Sequence, residues 1–363
     1  MDDTLLSGSI TFPNHWSIVT GLYPETHGII SNYFYDSALN DTFNYKDPTH
    51  SWDAKWWGGE PIWNSAVRQN KSAGVIMWPG SSTSFDGLRP TYEIPYDDYM
   101  TPNEKVDQAL DWLDLPLDDR PQFIGLYIPQ VDQAGHRYGP YANQTLEQLS
   151  IADAGIGRLL DGLKKRNLEE GVHVIIVSDH GMSATDRSRL IFYEDVLTDE
   201  ELSLIWRIEA SPLLAIRPHP HLDEDKAVEM LYQGFKRLQA QLDEPHFEVF
   251  RRQDIPSRYK FSNNARIAPL LIIPDPGWNL VTHAEFDPDH EEVYHPRGTH
   301  GYDNMSPESR AFFVAKGPTF EKQQVLKPFW NVELYQVMAR ILDLEPAINN
   351  GSLGGHLQPE RFD

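Results

Sequence analysis

The stretch Val172-His-Val-Ile-Ile-Val-Ser-Asp-His-Gly-Met182 decides the fold class. A short apolar run, bounded by turn residues and closed by a carboxylate and an imidazole, suits a buried parallel strand. Similar runs occur at 74–78, 123–128, 212–216, 270–273 and 311–314. Helical patterns lie between them, at 104–113, 144–165 and 226–242. In the second, Leu149, Ala152, Ile156, Leu159, Leu160 and Leu163 form one apolar stripe at helical spacing. Strands alternating with helices predict an α/β layered fold. The segment 275–299, rich in Pro, Asp and His, reads as a long ordered loop rather than a linker.

Composition limits what such a chain does. At 363 residues, with 10 Trp, 16 Tyr and 16 Phe, it can bury a substantial core. Its formal charge of -23 offers no basic field for a nucleic-acid backbone, so no nucleic-acid duplex is expected as partner. A small anionic substrate is compatible with that charge if metal ions reverse the field locally. The absence of Cys excludes disulfide and thiol chemistry. No apolar run is long enough to span a membrane, and residues 1–10 lack the basic start and apolar core of a signal peptide. Five N-x-Ser/Thr sequons, at Asn40, Asn70, Asn143, Asn304 and Asn350, point the other way, toward a glycoprotein of the secretory route.

The chemistry gathers where strands end. Asp132 and His136 follow the 123–128 run, Asp179 and His180 follow 172–177, and His300 stands far downstream in Arg-Gly-Thr-His-Gly-Tyr-Asp-Asn. Ligands at the carboxyl ends of strands in an open α/β sheet share one crevice. Carboxylates and imidazoles in this set are the donors that zinc takes, and they bind it deprotonated or neutral. Asp-x-x-x-His alone is a weak signal, since on an amphipathic helix it is more often a solvated pair than a ligand pair. Asp179-His180 closing an apolar strand is stronger, because burial there requires a partner. A further stretch, Thr11-Phe-Pro-Asn-His-Trp, offers a hydroxyl nucleophile, with Asn32 as a downstream amide.

Together these segments resemble the nucleotide pyrophosphatase/phosphodiesterases of the alkaline phosphatase superfamily. The resemblance runs from about Ser9 to about Leu357. It rests on Thr11-Phe-Pro-Asn-His, Trp56-Trp-Gly-Gly-Glu-Pro-Ile-Trp, Trp78-Pro-Gly-Ser, Asp132-x-x-x-His136, Asp179-His180-Gly-Met and Gly298-Thr-His-Gly-Tyr-Asp-Asn, with Gly317-Pro-x-Phe and Asn349-Asn-Gly-Ser late in the chain. It implies one catalytic domain over 1–363, an alkaline-phosphatase-like sandwich with a central, mostly parallel sheet flanked by helices. It also implies two zinc ions, one held by Asp132, His136 and His300, the other by Asp179 and His180 with Thr11. Thr11 would attack phosphorus to give a threonyl-nucleotide that water then hydrolyses, and Asn32 would donate to a non-bridging phosphoryl oxygen. Phe12 and Tyr96 match positions that sandwich the nucleobase. The implied reaction is hydrolysis of phosphodiester and pyrophosphate bonds of nucleotides to nucleoside 5'-monophosphates. Lipid or choline phosphodiesters are an alternative substrate class.

One departure from the family pattern stands out. That pattern begins with a buried strand ending in Asp-Gly, whose Asp completes the second zinc shell, and nothing before Thr11 matches it. The chain is therefore expected to be N-terminally truncated, with the first strand missing and the second zinc site weakened. A catalytically impaired member that keeps the nucleotide pocket is the competing reading. Asp2 and Asp3 follow no apolar run and are not assigned as ligands.

Overall fold

The computed structural model describes residues 10–360. The stretch before Ile10, where the sequence offers no strand, and with it Asp2 and Asp3, lies outside the described residues. The helices that matter for the site are α1 (Thr11–Thr20), α2 (Pro102–Leu113), α3 (Gln130–Tyr138), α4 (Asn143–Lys165) and α5 (Glu224–Gln241). The main strands are β1 (Ala73–Ile76), β2 (Tyr92–Ile94), β3 (Phe123–Leu126), β4 (Val174–Val177), β5 (Ile205–Ile208), β6 (Leu214–Pro218), β7 (Phe247–Arg251), β8 (Leu270–Pro274) and β9 (Phe313–Lys316).

The fold is α/β with mixed sheets. Strands β2-β1-β3 form a parallel sheet, β9 pairs antiparallel with β4, and β7-β8-β6-β5 form an antiparallel sheet. The apolar runs at 212–216 and 270–273 are thus strands, but antiparallel neighbours rather than parallel ones. Their continuous hydrophobicity has another cause, because both faces of this sheet are covered. Leu214, Ile216, Leu270 and Ile272 pack on Val228, Leu231, Phe235 and Leu238 of α5, while Leu213, Ala215 and Leu271 face the Trp-rich core. The run at 311–314 also shifts, since its strand begins at Phe313. The 275–299 loop contains two short strands, Asn279–Val281 and Gly298–Thr299.

Strands β3 and β4 share both flanking layers. Ile124, Leu126 and Val174 pack over Val106, Leu110 and Leu163 of α2 and α4, whereas Phe123, Val177 and Phe313 face the Trp-rich core. Yet β3 and β4 lie in separate sheets, and every residue of β4 is partly exposed. Helix α4 keeps most of its expected stripe: Ala152 and Leu163 are buried and Ile156, Leu159 and Leu160 partly so, while Leu149 is 51% exposed; Thr145, Gly155 and Gly162 are buried as well. Small residues win that face because α2 comes close: a Cβ on Gly162 would fall among the methyl carbons of Leu110. Of the sequon asparagines, Asn40, Asn70, Asn143 and Asn350 are exposed. The amide atoms of Asn304 are buried.

Close packing also constrains β1. A Cβ on Gly74 would stand 2.6 Å from the indole ring of Trp112 on α2. Gly74→Ala is expected to destabilise the protein by about 1–3 kcal/mol. A lower urea midpoint at unchanged m-value would show it; an unchanged midpoint would mean that the contact relaxes freely.

Candidate metal centre

Four segments converge at the carboxyl ends of β3 and β4. Asp132 and His136 sit one helical turn apart on α3, which follows β3 and so turns both side chains to one face. Asp179 and His180 follow β4 directly. Gly181 lets that turn pass the main chain at Glu308, because a Cβ there would collide with the Glu308 carbonyl oxygen. His300 follows Gly298–Thr299, and this short strand is stitched to α3. Arg297 N–H donates to His136 O at 2.8 Å, and His136 Nδ1 donates to Gly298 O at 2.8 Å.

Those hydrogen bonds fix tautomers. A backbone carbonyl only accepts, so His136 carries its proton on Nδ1 and its Nε2 presents a lone pair. His180 does the same, with Nδ1 donating to Gly181 O at 2.8 Å. The freed Nε2 atoms point inward. His136 Nε2 lies 3.1 Å from His300 Nε2 and 3.5 Å from Asp132 Oδ1, and His300 Nε2 is 3.4 Å from the same oxygen. His180 Nε2 lies 3.0 Å from Asp179 Oδ2, 3.5 Å from Thr11 Oγ1 and 4.0 Å from Asp132 Oδ1. Ligands held by zinc at about 2.0–2.1 Å in tetrahedral geometry stand about 3.3 Å apart, so these spacings suit an ion at the centre of each set.

The two carboxylates strengthen that fit. Asp132 Oδ1 and Asp179 Oδ2 are both buried, and neither receives a well-formed hydrogen bond among the described residues. Buried acceptors facing imidazole lone pairs need a cation or protons between them. In the metal-free protein, protons serve. Burial alone would lower His180, but the neighbouring Asp179 carboxylate raises it to about 9. Burial alone would raise Asp179, yet His180 and His15 hold it well below the usual carboxylate range. Asp132 goes up, chiefly by burial, with Asp179 adding to the effect.

Of the residues predicted from the sequence, Asp132, His136 and His300 come together as one set, and Asp179, His180 and Thr11 as an adjoining one. Asp132, His180 and His300 also offer ligand atoms within 4.8 Å of one another, so Asp132 lies between the two sets. Thr11 opens α1, whose N-cap Ile10 is extended and provides no side-chain cap. Pro13 fits this first turn, where a missing N–H costs no helical bond. The positive end of the helix dipole therefore faces the centre, as an anion site requires. Asn32 Oδ1 accepts from Phe12 N–H at 2.9 Å, which leaves its Nδ2 as a donor beside Thr11. Phe12 packs edge-on against Tyr45, with ring centroids 5.3 Å apart. Tyr96 is 49% exposed, donates to Asp98 and accepts from Gln133 of α3.

Sequence reasoning missed Asn14, His15 and Tyr127. Asn14 Nδ2 donates to Asp179 O at 2.8 Å, and the His15 ring lies against Trp78 and Tyr127. Tyr127 is driven well above its ordinary value by burial first and then by Asp179 and Asp132, so it stays a neutral phenol beside the carboxylates.

Residues 6–303 match the family model described as type I phosphodiesterase / nucleotide pyrophosphatase. An uncharacterized pyrophosphatase/phosphodiesterase of Schizosaccharomyces pombe is 44% identical over 356 residues, covering 97% of this chain and 72% of the relative. Human ectonucleotide pyrophosphatase/phosphodiesterase family member 1 is 36% identical over 346 residues, covering 95% of this chain but 36% of the relative. The chain spans well under half of that protein, and 41% of the venom phosphodiesterase of Naja atra, to which it is 37% identical. Among solved structures, murine ectonucleotide pyrophosphatase/phosphodiesterase 5, an inactive variant in complex with AMP, superposes with a TM-score of 0.83 at 28% identity. The match covers 96% of this chain and 88% of that one. The chain belongs to the type I phosphodiesterase / nucleotide pyrophosphatase family of hydrolases.

Proposed function

We propose that this chain is a zinc-dependent hydrolase of phosphodiester and pyrophosphate bonds in nucleotides, releasing nucleoside 5'-monophosphates through a threonine nucleophile. One observation carries the reading: the Nδ1 protons of His136 and His180 are committed to main-chain carbonyls, so their Nε2 lone pairs converge on Asp132 and Asp179 beside Thr11. Asp132, His136 and His300 would hold one zinc, and Asp179 and His180 with Thr11 the other. Bound there, zinc supplies Lewis-acid stabilisation for the attacking and leaving oxygens of an in-line displacement.

The protein groups do the rest. Thr11 Oγ1 forms a bond to phosphorus as the bond to the leaving oxygen breaks, and water then cleaves the threonyl-nucleotide to regenerate the hydroxyl. Asn32 Nδ2 and the N-terminus of α1 face the developing negative charge on the phosphoryl oxygens. Phe12 and Tyr96 border the base side of the site, where stacking tolerates any base. An anionic substrate reaches a chain of charge -23 because the field at the centre is set by the metals and the helix end, not by the net charge.

With zinc bound, Thr11→Ala is expected to lower turnover of the nitrophenyl ester of thymidine monophosphate by a factor on the order of 10^4 or more. Turnover equal to wild type would remove Thr11 from the chemistry.

Zinc must displace the proton that His180 holds up to about pH 9. Zinc affinity at this set is therefore expected to rise about tenfold per pH unit from pH 7 to 9 and then level off. The same raised value stabilises the metal-free fold fully below about pH 6.5, an effect lost as pH rises through about 9. Affinity that stays flat with pH would contradict the assignment.

A catalytically impaired centre is the second reading, favoured by the second set's having only Asp179 and His180 besides the nucleophile among the described residues. Metal analysis separates the two: two zinc equivalents per chain support the hydrolase, one supports impairment.

A further inference from the structure

We infer that His15 is a positioning residue that couples the nucleophile helix to the metal ligand Asp179; the inference rests on the zinc reading above. His15 lies one turn after Thr11 on α1 and is almost wholly buried. Its Nδ1 stands 2.8 Å from Thr11 O and 3.3 Å from Asp179 Oδ2. The carbonyl can only accept, so Nδ1 carries the proton and its N–H is shared, mainly with Thr11 O and more obliquely with the carboxylate. The ring cannot swing away. Trp78 and Tyr127 meet it edge-on, with centroids 4.9 and 4.4 Å away. Asn14 grips the same ligand residue from the neighbouring position, through Asp179 O.

One helical turn thus holds Asp179 by its main chain through Asn14 and by its carboxylate through His15, while His15 also holds the carbonyl of the nucleophile. A buried N–H beside a ligating carboxylate orients it and holds its charge toward the metal, and the loss of such a partner typically costs 10–100-fold in metal affinity. Helical propensity gives no reason for a buried His at this position, since an apolar residue would fill the space between two rings at lower desolvation cost.

The test uses zinc affinity measured by chelator competition on the full chain. His15→Leu keeps the bulk and removes the N–H; His15→Asn keeps a donor at the Nδ1 position. The expected result is a 10–100-fold loss of affinity at the Asp179 set in His15→Leu, with the Asp132, His136 and His300 set little changed and His15→Asn restoring most of the loss. The metal-free melting temperatures should stay close to wild type. Equal affinity in His15→Leu, or His15→Asn as weak as His15→Leu, overturns the inference. Nitrogen NMR of the imidazoles in the wild-type protein tests it without any variant. An Nδ1–H tautomer whose signal shifts on adding zinc supports it; an Nε2–H tautomer, or a signal that zinc leaves unmoved, overturns it. A wild-type chain that takes up no zinc overturns both this inference and the proposed function. Normal wild-type uptake with an unaffected His15→Leu overturns this one alone.

Discussion

Two imidazole protons given to main-chain carbonyls set the chemistry of this centre. Once His136 Nδ1 donates to Gly298 O and His180 Nδ1 donates to Gly181 O, the opposite ring nitrogens are the ones left to take a metal or a second proton. His136 Nε2 faces His300 Nε2 and Asp132 Oδ1, and His180 Nε2 faces Asp179 Oδ2, so protons or a cation must offset the buried carboxylates. The backbone of the fold therefore pre-sets a cation-demanding pocket before any metal arrives, and the raised His180 value is how the metal-free protein meets that demand.

The scaffold delivers the candidate ligands by short connections. Strand β3 leads at once into α3, and β4 leads at once into Asp179-His180, so two Asp/His pairs emerge at the same end of the strands. The Gly298–Thr299 strand is bonded to the turn after β4, through Thr299 and Ser183, and to α3 through His136 and Arg297. His300 is thereby tied to both pairs despite its distance in sequence. Helix α1 closes the arrangement, with its uncapped N-terminus at the centre and Trp16 in the aromatic core with Trp57 and Trp63. Burial of that large ring anchors the helix carrying Thr11, so the position of Thr11 rests on core packing.

Much of this was legible in the sequence, for identifiable reasons. The runs at 74–78, 123–128 and 172–177 are short and apolar with polar residues at their ends, and strand formation follows from that pattern alone. The i, i+4 spacing of Asp132 and His136 puts both on one face of any helix. Strand pairing was less legible. Leu214–Pro218 and Leu270–Pro274 are buried on both faces, and an antiparallel strand covered twice has the same composition as a parallel one. On α4 the stripe left out Gly155 and Gly162, which lie against α2 but, as glycines, add nothing to an apolar pattern. His15 was hidden for a different reason: one partner is the carbonyl four residues back, and the other lies 164 positions downstream.

The central claim is that these residues form two metal sets, with Asp132 in one and Asp179 in the other. Anomalous diffraction at the zinc edge, on crystals of the zinc-loaded chain, tests it most directly. The account predicts one peak bounded by Asp132, His136 and His300 and a second bounded by Asp179, His180 and Thr11. A single peak shared by Asp132, His180 and His300, or no peak at these residues, would contradict it.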